Sequence, residues 1–306
     1  MTTYIVRRIL VSIPVLWGVM TLVFFSVHLI PGDPAEVMLA GRANAHGVAE
    51  LRHALGLDQP LPLQYWNFLI HAVRLDFGTS IISHQPVFSE IMARFPYTLQ
   101  LTASAMLLAT TFGVLSGVLA ATRNRTATGT LIVGLSVLGI SVPDFWLGTM
   151  LAVIFGVTLH LLPVAGTGGI QNLVLPSVTL AVVIAANITR LTRAAVVDVL
   201  SMDYVRTARA KGVRATLVIV KHALRNALIP VVTIFGLTVG SLLGGAVILE
   251  NVFAWPGLGT LAVTAVTNRD FPVVQGTTFF FAVILIAANL IVDISYAFLD
   301  PRIRYR

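Results

Sequence analysis

DYVRTARAKGVRATLVIVKHALRNALIP, Asp203 to Pro230, is a basic, helix-prone segment between two apolar runs, each long enough to span a bilayer. Arg206, Arg209, Lys211, Arg214, Lys221 and Arg225 give it a positive charge that places it on the cytoplasmic side of a membrane. Ala208 and Ala210 are small, and Gly212 permits a sharp turn at positive φ. The pattern predicts a helix, a glycine turn at 212, and a second helix running to Pro230. A structured loop over residues 193–228 is the natural contact for a soluble cytoplasmic partner. A loop that only obeys topology would touch lipid headgroups instead, and charge alone does not separate the two.

The rest of the chain agrees with a membrane setting. Of 306 residues, 57% are hydrophobic and only 11% are charged, against about 25% charged in a soluble domain. Mean hydropathy is +0.89. The composition is that of an all-α polytopic membrane protein. The net charge of +7 comes from basic residues that flank apolar runs. They do not cluster with aromatics on a soluble face, so nucleic acid is not the expected partner; the lipid bilayer is. The absence of cysteine excludes disulfides, thiol catalysis and cysteine metal sites.

Six spans are expected, at about 9–30, 97–121, within 129–160, and at 173–192, 229–249 and 273–298. The first is too long for a signal-peptide core and lacks a cleavage site after it, so it reads as an uncleaved span. The third run is long for one span and carries Pro143 in its middle, while each half alone is too short to cross. One helix kinked or broken near Pro143 is expected there. Segments 1–8, 122–128, 190–228 and 299–306 hold most of the basic residues. Asp33, Glu36, Glu50, Asp58, Asp76, Glu90, Glu250 and Asp270 lie on the other side. Both termini are therefore expected in the cytoplasm.

The organisation that follows is an N-terminus with first span (1–30), an extracytoplasmic segment (31–96), and a five-span core (97–306). Within the outer segment, residues 64–75 read as an amphipathic helix with Tyr65, Phe68, Leu69, Ala72 and Leu75 on one face. Lying on the membrane, covering the mouth of a pathway and packing on the spans are all open to it.

Enzyme chemistry is not expected. No G-x-x-x-x-G-K-[ST], G-x-S-x-G or H-E-x-x-H occurs, so the chain does not hydrolyse ATP itself. His46, Glu50 and His53 form at most a weak metal constellation, better read as ordinary exposed polar side chains; no metal site is expected. Polar residues inside spans are few. Asp144, Asn187, Asn289 and Asp293 are candidates to line a pathway, with interhelical hydrogen bonding or snorkelling as the plainer reading.

A-x3-G followed by a basic helix, His222 and Leu-Ile-Pro (228–230) resembles the coupling loop of permease subunits in binding-protein-dependent ABC importers. YVRTARAKG (204–212) and HALRNALIPVVT (222–233) are similar to the dipeptide/oligopeptide branch. So are LGLDQPLPLQYWNF (55–68), DFGTS (76–80), FPYTLQLT (95–102), SVPDFWLG (141–148), LPVAG (162–166), ENVFAWPGLG (250–259) and DPRIR (300–304), and the likeness covers essentially the whole chain. In the general loop pattern a Glu stands where this chain has Arg206, and the next Ala where it has Thr207.

The resemblance implies the type I importer permease fold in a bacterial cytoplasmic membrane. Its implied partners are a homologous second permease, two ATP-binding subunits that hold ATP and Mg, and an extracytoplasmic solute-binding protein. This chain itself carries no cofactor. Arg206, Ala208, Arg209, Lys211 and Gly212 become the ATPase-coupling centre. Glu250, Phe253, Trp255, Pro256 and Gly257 fall on the binding-protein or gate side, or form a structural hairpin. The implied solute is a di- or oligopeptide, with nickel, glutathione or another small solute as the alternative. An ion-coupled carrier is the remoter reading, and it would require an essential acid at Asp144 or Asp293.

Overall fold

A computed structural model describes residues 2–29, 35–36, 45–54, 56–214, 217–219, 224–243 and 246–299. Their regular structure is helical, apart from one isolated antiparallel bridge between Thr79 and Pro86. In chain order the helices are α1 (Thr2–His28), α2 (Ala45–Ala54), α3 (Leu61–Val73), α4 (Val87–Thr122), α5 (Ala127–Ser141) and α6 (Asp144–Leu151). A π-helical turn (Ala152–Thr158) follows. Then come α7 (Ile170–Leu200), α8 (Asp203–Ala210), α9 (Arg225–Leu243), α10 (Val247–Val252), α11 (Leu258–Thr267) and α12 (Phe271–Leu299).

Among the described residues four helical stretches are long and apolar enough to cross a membrane: Val6–Ser26, Val87–Thr122, Ile170–Leu200 and Phe271–Ile291. The α5–α6 pair makes a fifth if it is one span, although it bends by 100°. The break falls where Pro143 was expected to put it. Val142 is extended (φ −85°, ψ 125°) and Pro143 sits at the N-cap of α6, because a residue before proline is pushed out of the helical region. The expected span at 229–249 falls on α9 and α10. Its described apolar stretch, Ile234–Leu243, is shorter than a crossing requires, and residues 244–245 lie outside the described set. The second span begins earlier than expected. α4 starts at Val87 and continues through Pro96, held at its N-terminal end by the fully buried Val87 and Ile91.

The chain divides into two compact units, Met1–Thr98 with Pro256–Ala287, and Leu99–Trp255 with Ala288–Arg306. In the first, α3 settles the reading of residues 64–75. Ala72 is buried, and Phe68 and Leu69 pack with Met20 of α1 and Phe279 of α12. Tyr65 Oη and Thr21 Oγ1 share a hydrogen bond of 2.7 Å. The apolar face is therefore used up against other helices. The helix begins three residues before the expected position because Pro62 suits a first turn. It ends at Val73, so Leu75 lies past it at φ 58°.

In the second unit α4 and α7 approach closely. A Cβ on Gly113 would sit 2.7 Å from Ile188 Cβ, and one on Gly117 would sit 2.6 Å from Thr192 Cβ and 2.8 Å from the Thr189 carbonyl. The G-x-x-x-G pattern of 113–117 lets two helices meet at the backbone. Hydroxyl pairs add to the contact, Ser104 with Ser177 at 2.6 Å and Ser116 with Thr189 at 2.7 Å.

Candidate functional site

The basic segment Asp203–Pro230 folds as expected where it is described. Asp203–Ala210 is helical, and Gly212 sits at φ 76°. Lys211 N–H donates to Thr207 O at 3.0 Å, and Val213 N–H to Ala208 O at 3.2 Å. The second bond is that of a Schellman end with glycine at the left-handed position. Ala208 and Val213 also share a cluster with Val205, Val196, Val199 and Val218, the apolar contact that accompanies this motif. Much of the expected second helix, including 215–216 and 220–223 with His222, lies outside the described residues.

Burial divides this short helix into two sides. Val205 is fully buried, whereas Arg206, Lys211 and Gly212 are exposed. Arg206 reaches only Asp203, at 3.9 Å, with both side chains in solvent. Such an exposed pair contributes little to stability. The side chain of Arg209 lies outside the described set. The result is a rigidly seated helix that offers a cationic edge and a glycine end. Changing Val205 to Asp would remove about 2 kcal/mol of apolar burial and put a carboxylate among valines. The expected result is tryptic cleavage after Arg206, Arg209 and Lys211 accelerated more than tenfold, read by gel; unchanged cleavage would mean that α8 is not seated through Val205.

Of the segment 250–257, the side chains at 250, 253 and 255 are buried. Phe253 and Trp255 belong to the same core as Leu101, Ile188 and Leu249. The contact area expected of them for a binding protein is thus spent inside the unit. Aromatic residues in an irregular segment signalled an interface only on the assumption that they faced outward. Gly148 makes room for them: a Cβ there would lie 3.1 Å from Leu249 Cδ2 and 3.2 Å from Phe253 Cε2. Pro256 is half-buried and Gly257 is buried.

The four polar candidates for a pathway do not converge on one another through hydrogen bonds among the described residues. Asp144 Oδ1 accepts from the amide of Phe145 at 2.7 Å, at the start of α6. Asn187 donates to the Val183 carbonyl at 3.1 Å. Asn289 is half-buried, and the side chain of Asp293 lies outside the described set. Asp144, Asn187 and Asn289 do not line the apolar groove of about 460 Å³ between α4 and α9, which is walled by Met106, Leu107, Phe235 and Val239 with Thr102 and Thr110. Those threonines and the glycines at 113 and 117 escaped the sequence reading. Their signal was a row of small and hydroxylated residues along one side of α4.

Among the described residues no three metal-binding side chains come together. His46 faces Glu50 at 3.2 Å, while His53 turns to Asp58 at 2.8 Å. His28, held by Gln64 at 3.0 Å, and His71 line a second cavity, of about 400 Å³, in the first unit. Beyond α3, the Gly78 amide and then His71 hold the Asp76 carboxyl below its ordinary 3.8. A carboxyl depressed in this way supports the folded turn above pH 3.8 and loses that contribution as pH falls through the lowered value. Hydrogen-exchange protection of the Gly78 amide is therefore expected to fall between about pH 5 and pH 2. Asp76→Ala should show low, flat protection over that range, and a wild-type profile in the variant would contradict the assignment.

Long apolar helices joined through small residues, with a short basic helix seated beside them, have the form of a multi-pass transporter subunit. The chain belongs to the family of binding-protein-dependent transport system inner membrane components, whose profile matches residues 113–305; the profile of that family's N-terminal part matches residues 1–102. It is 48% identical over its whole length, and over the whole of the relative, to the glutathione transport system permease protein GsiC of Salmonella typhimurium. The Escherichia coli K12 protein of the same name is 47% identical over the same extent. Among solved structures it resembles the MetNI methionine ABC transporter in inward-facing conformations. The TM-score is 0.52 at 20% identity, covering 66% of this chain and 94% of that one. The fold is like that of an ABC transporter, and the family makes the chain an inner membrane component of a transport system.

Proposed function

We propose that this chain, paired with a homologous second permease, forms the pathway of an importer that carries short peptides delivered by an extracytoplasmic solute-binding protein. Two ATP-binding subunits holding ATP and Mg drive it. The observation that carries this reading is full-length identity of 48% to a glutathione permease, since glutathione is itself a tripeptide. It is also the first solute to test.

In this reading the permease has the type I arrangement of six spans, with both termini in the cytoplasm and residues 31–96 outside. The α8 helix is the coupling helix. Arg206, Ala208, Arg209, Lys211 and Gly212 sit in a cleft of an ATP-binding subunit. Closure of that subunit pair on ATP moves the seated helix, and Val205 transmits the movement to α7 through Val196 and Val199. The pathway then alternates between inward and outward access, and the solute needs no covalent chemistry. Only contacts that differ between the two states bias the exchange.

The test is reconstitution in proteoliposomes with the partner subunits and binding protein, following uptake of labelled glutathione and dipeptides together with ATP hydrolysis. Peptide uptake that depends on ATP and on the binding protein is the expected result. Uptake of another solute only, with peptides ignored, would overturn the peptide assignment.

A further inference from the structure

The cavity in the first unit, about 400 Å³ in volume, falls within the range of small-molecule sites, about 300–1,000 Å³. No three metal-binding side chains come together among the described residues, so it suits a molecule rather than a metal ion. Four aromatic rings line it, the buried Phe24 and Phe271 and the partly buried Phe68 and Phe77. The Phe24 and Phe68 rings lie 5.6 Å apart. The cavity is open to water, since His53, His71 and Asp76 in its wall are exposed.

Its polar groups share one character. The chain carries a net charge of +7, yet no Lys or Arg lines this cavity. Asp76 does, and hydrogen bonds from the Gly78 amide and then His71 hold its carboxyl below the ordinary value, so it is charged at neutral pH. His71 Nδ1 meets Asp76 Oδ2 at 3.2 Å, and His53 Nδ1 meets Asp58 Oδ2 at 2.8 Å. A carboxylate only accepts, so each Nδ1 carries the proton, and in the neutral ring Nε2 is left as an acceptor. The Asn67 amide nitrogen donates to Gln59 Oε1 at 3.0 Å, which leaves the Asn67 oxygen to accept. Asn67 and His71 stand one turn apart on α3, so the two acceptors share a face. Gln275 of α12 adds a further amide. His28 is used up within the wall, on the Phe24 carbonyl at 2.9 Å and on Gln64 Oε1 at 3.0 Å. A carboxylate, several acceptors and aromatic faces, with no Lys or Arg among them, suit a cation that has N–H groups to donate.

We propose that this cavity binds the primary ammonium group of a small molecule, with Asp76 as its counter-charge, His71 and Asn67 as acceptors beside it, and the phenylalanines against its apolar body. A free amine and the N-terminus of a short peptide share that chemistry. The inference does not depend on which solute the transporter carries.

Isothermal titration of the purified full chain in a non-ionic detergent tests it. The probes are 2-phenylethylamine, a free amine, and the dipeptide Phe-Ala. Their counterparts without the ammonium group are 2-phenylethanol and N-acetyl-Phe-Ala. At least one probe is expected to bind roughly tenfold or more tightly than its counterpart, and the tighter probe identifies the source of the ammonium. Asp76→Asn keeps an oxygen for the Gly78 amide and should weaken that binding roughly fivefold, as fits a partly exposed ion pair. Gln275→Leu leaves the turn at 76–78 untouched and should weaken it roughly threefold. Failure of both probes to bind, equal binding of each probe and its counterpart, or wild-type affinity in both variants would overturn the site. Binding to the lone chain that disappears in the assembled transporter would overturn it as well, by making the cavity part of a subunit interface.

Discussion

Replacing Gly117 with valine is expected to lower the apparent unfolding midpoint of the purified chain by roughly 5–10 °C and to cut the yield of monodisperse protein. A Cβ at this position would lie 2.6 Å from Thr192 Cβ and 2.8 Å from the Thr189 carbonyl. Neither neighbour is the free end of a flexible side chain. One is a branch point and the other is backbone, so α4 and α7 must move apart. Separation would also stretch the Ser116–Thr189 hydroxyl pair at 2.7 Å. Gly113→Leu should act in the same direction, because Ile188 Cβ is 2.7 Å away from its Cβ position. A thermal scan followed by light scattering reads both effects. An unchanged midpoint in Gly117→Val would mean that the two helices do not meet there.

The second large effect is expected at Gly212, and its sign is read from function rather than stability. Any side chain at φ 76° carries a left-handed strain of about 1–2 kcal/mol. Beyond that strain the site is open: a Cβ at 212 would meet no atom within 4 Å. Alanine and tryptophan therefore strain the turn alike within this chain and differ only toward a partner. Gly212→Trp is expected to reduce uptake at least tenfold and to diminish the ATP hydrolysis that stays with the complex. Gly212→Ala should keep most uptake. If both variants transport equally, nothing docks on this turn.

The legible parts of the chain were those set by local rules. Pro143 announced the break between α5 and α6, although not its 100° bend. Gly212 announced its own turn. Tyr65, Phe68, Leu69 and Ala72 of the α3 face were read from period, but Leu75 lies past the helix end, and which use the face serves was left open, since Met20 and Phe279 are distant in sequence. Phe253 and Trp255 misled because an aromatic residue near a proline looks the same whether it fills a core or a surface. Thr102 and Thr110 were silent for a different reason. A threonine in an apolar helix is ordinary, and only the geometry shows that these two fail to make the bond that Thr179 and Thr189 make.

The most direct test of the account is to purify this chain from its native membrane in mild detergent, identify what comes with it, and assay ATP hydrolysis on the same sample. The account predicts a second permease and two ATP-binding subunits with measurable activity, both diminished by Gly212→Trp. A chain recovered alone, with no ATP hydrolysis and solute uptake that depends on an ion gradient, would contradict it.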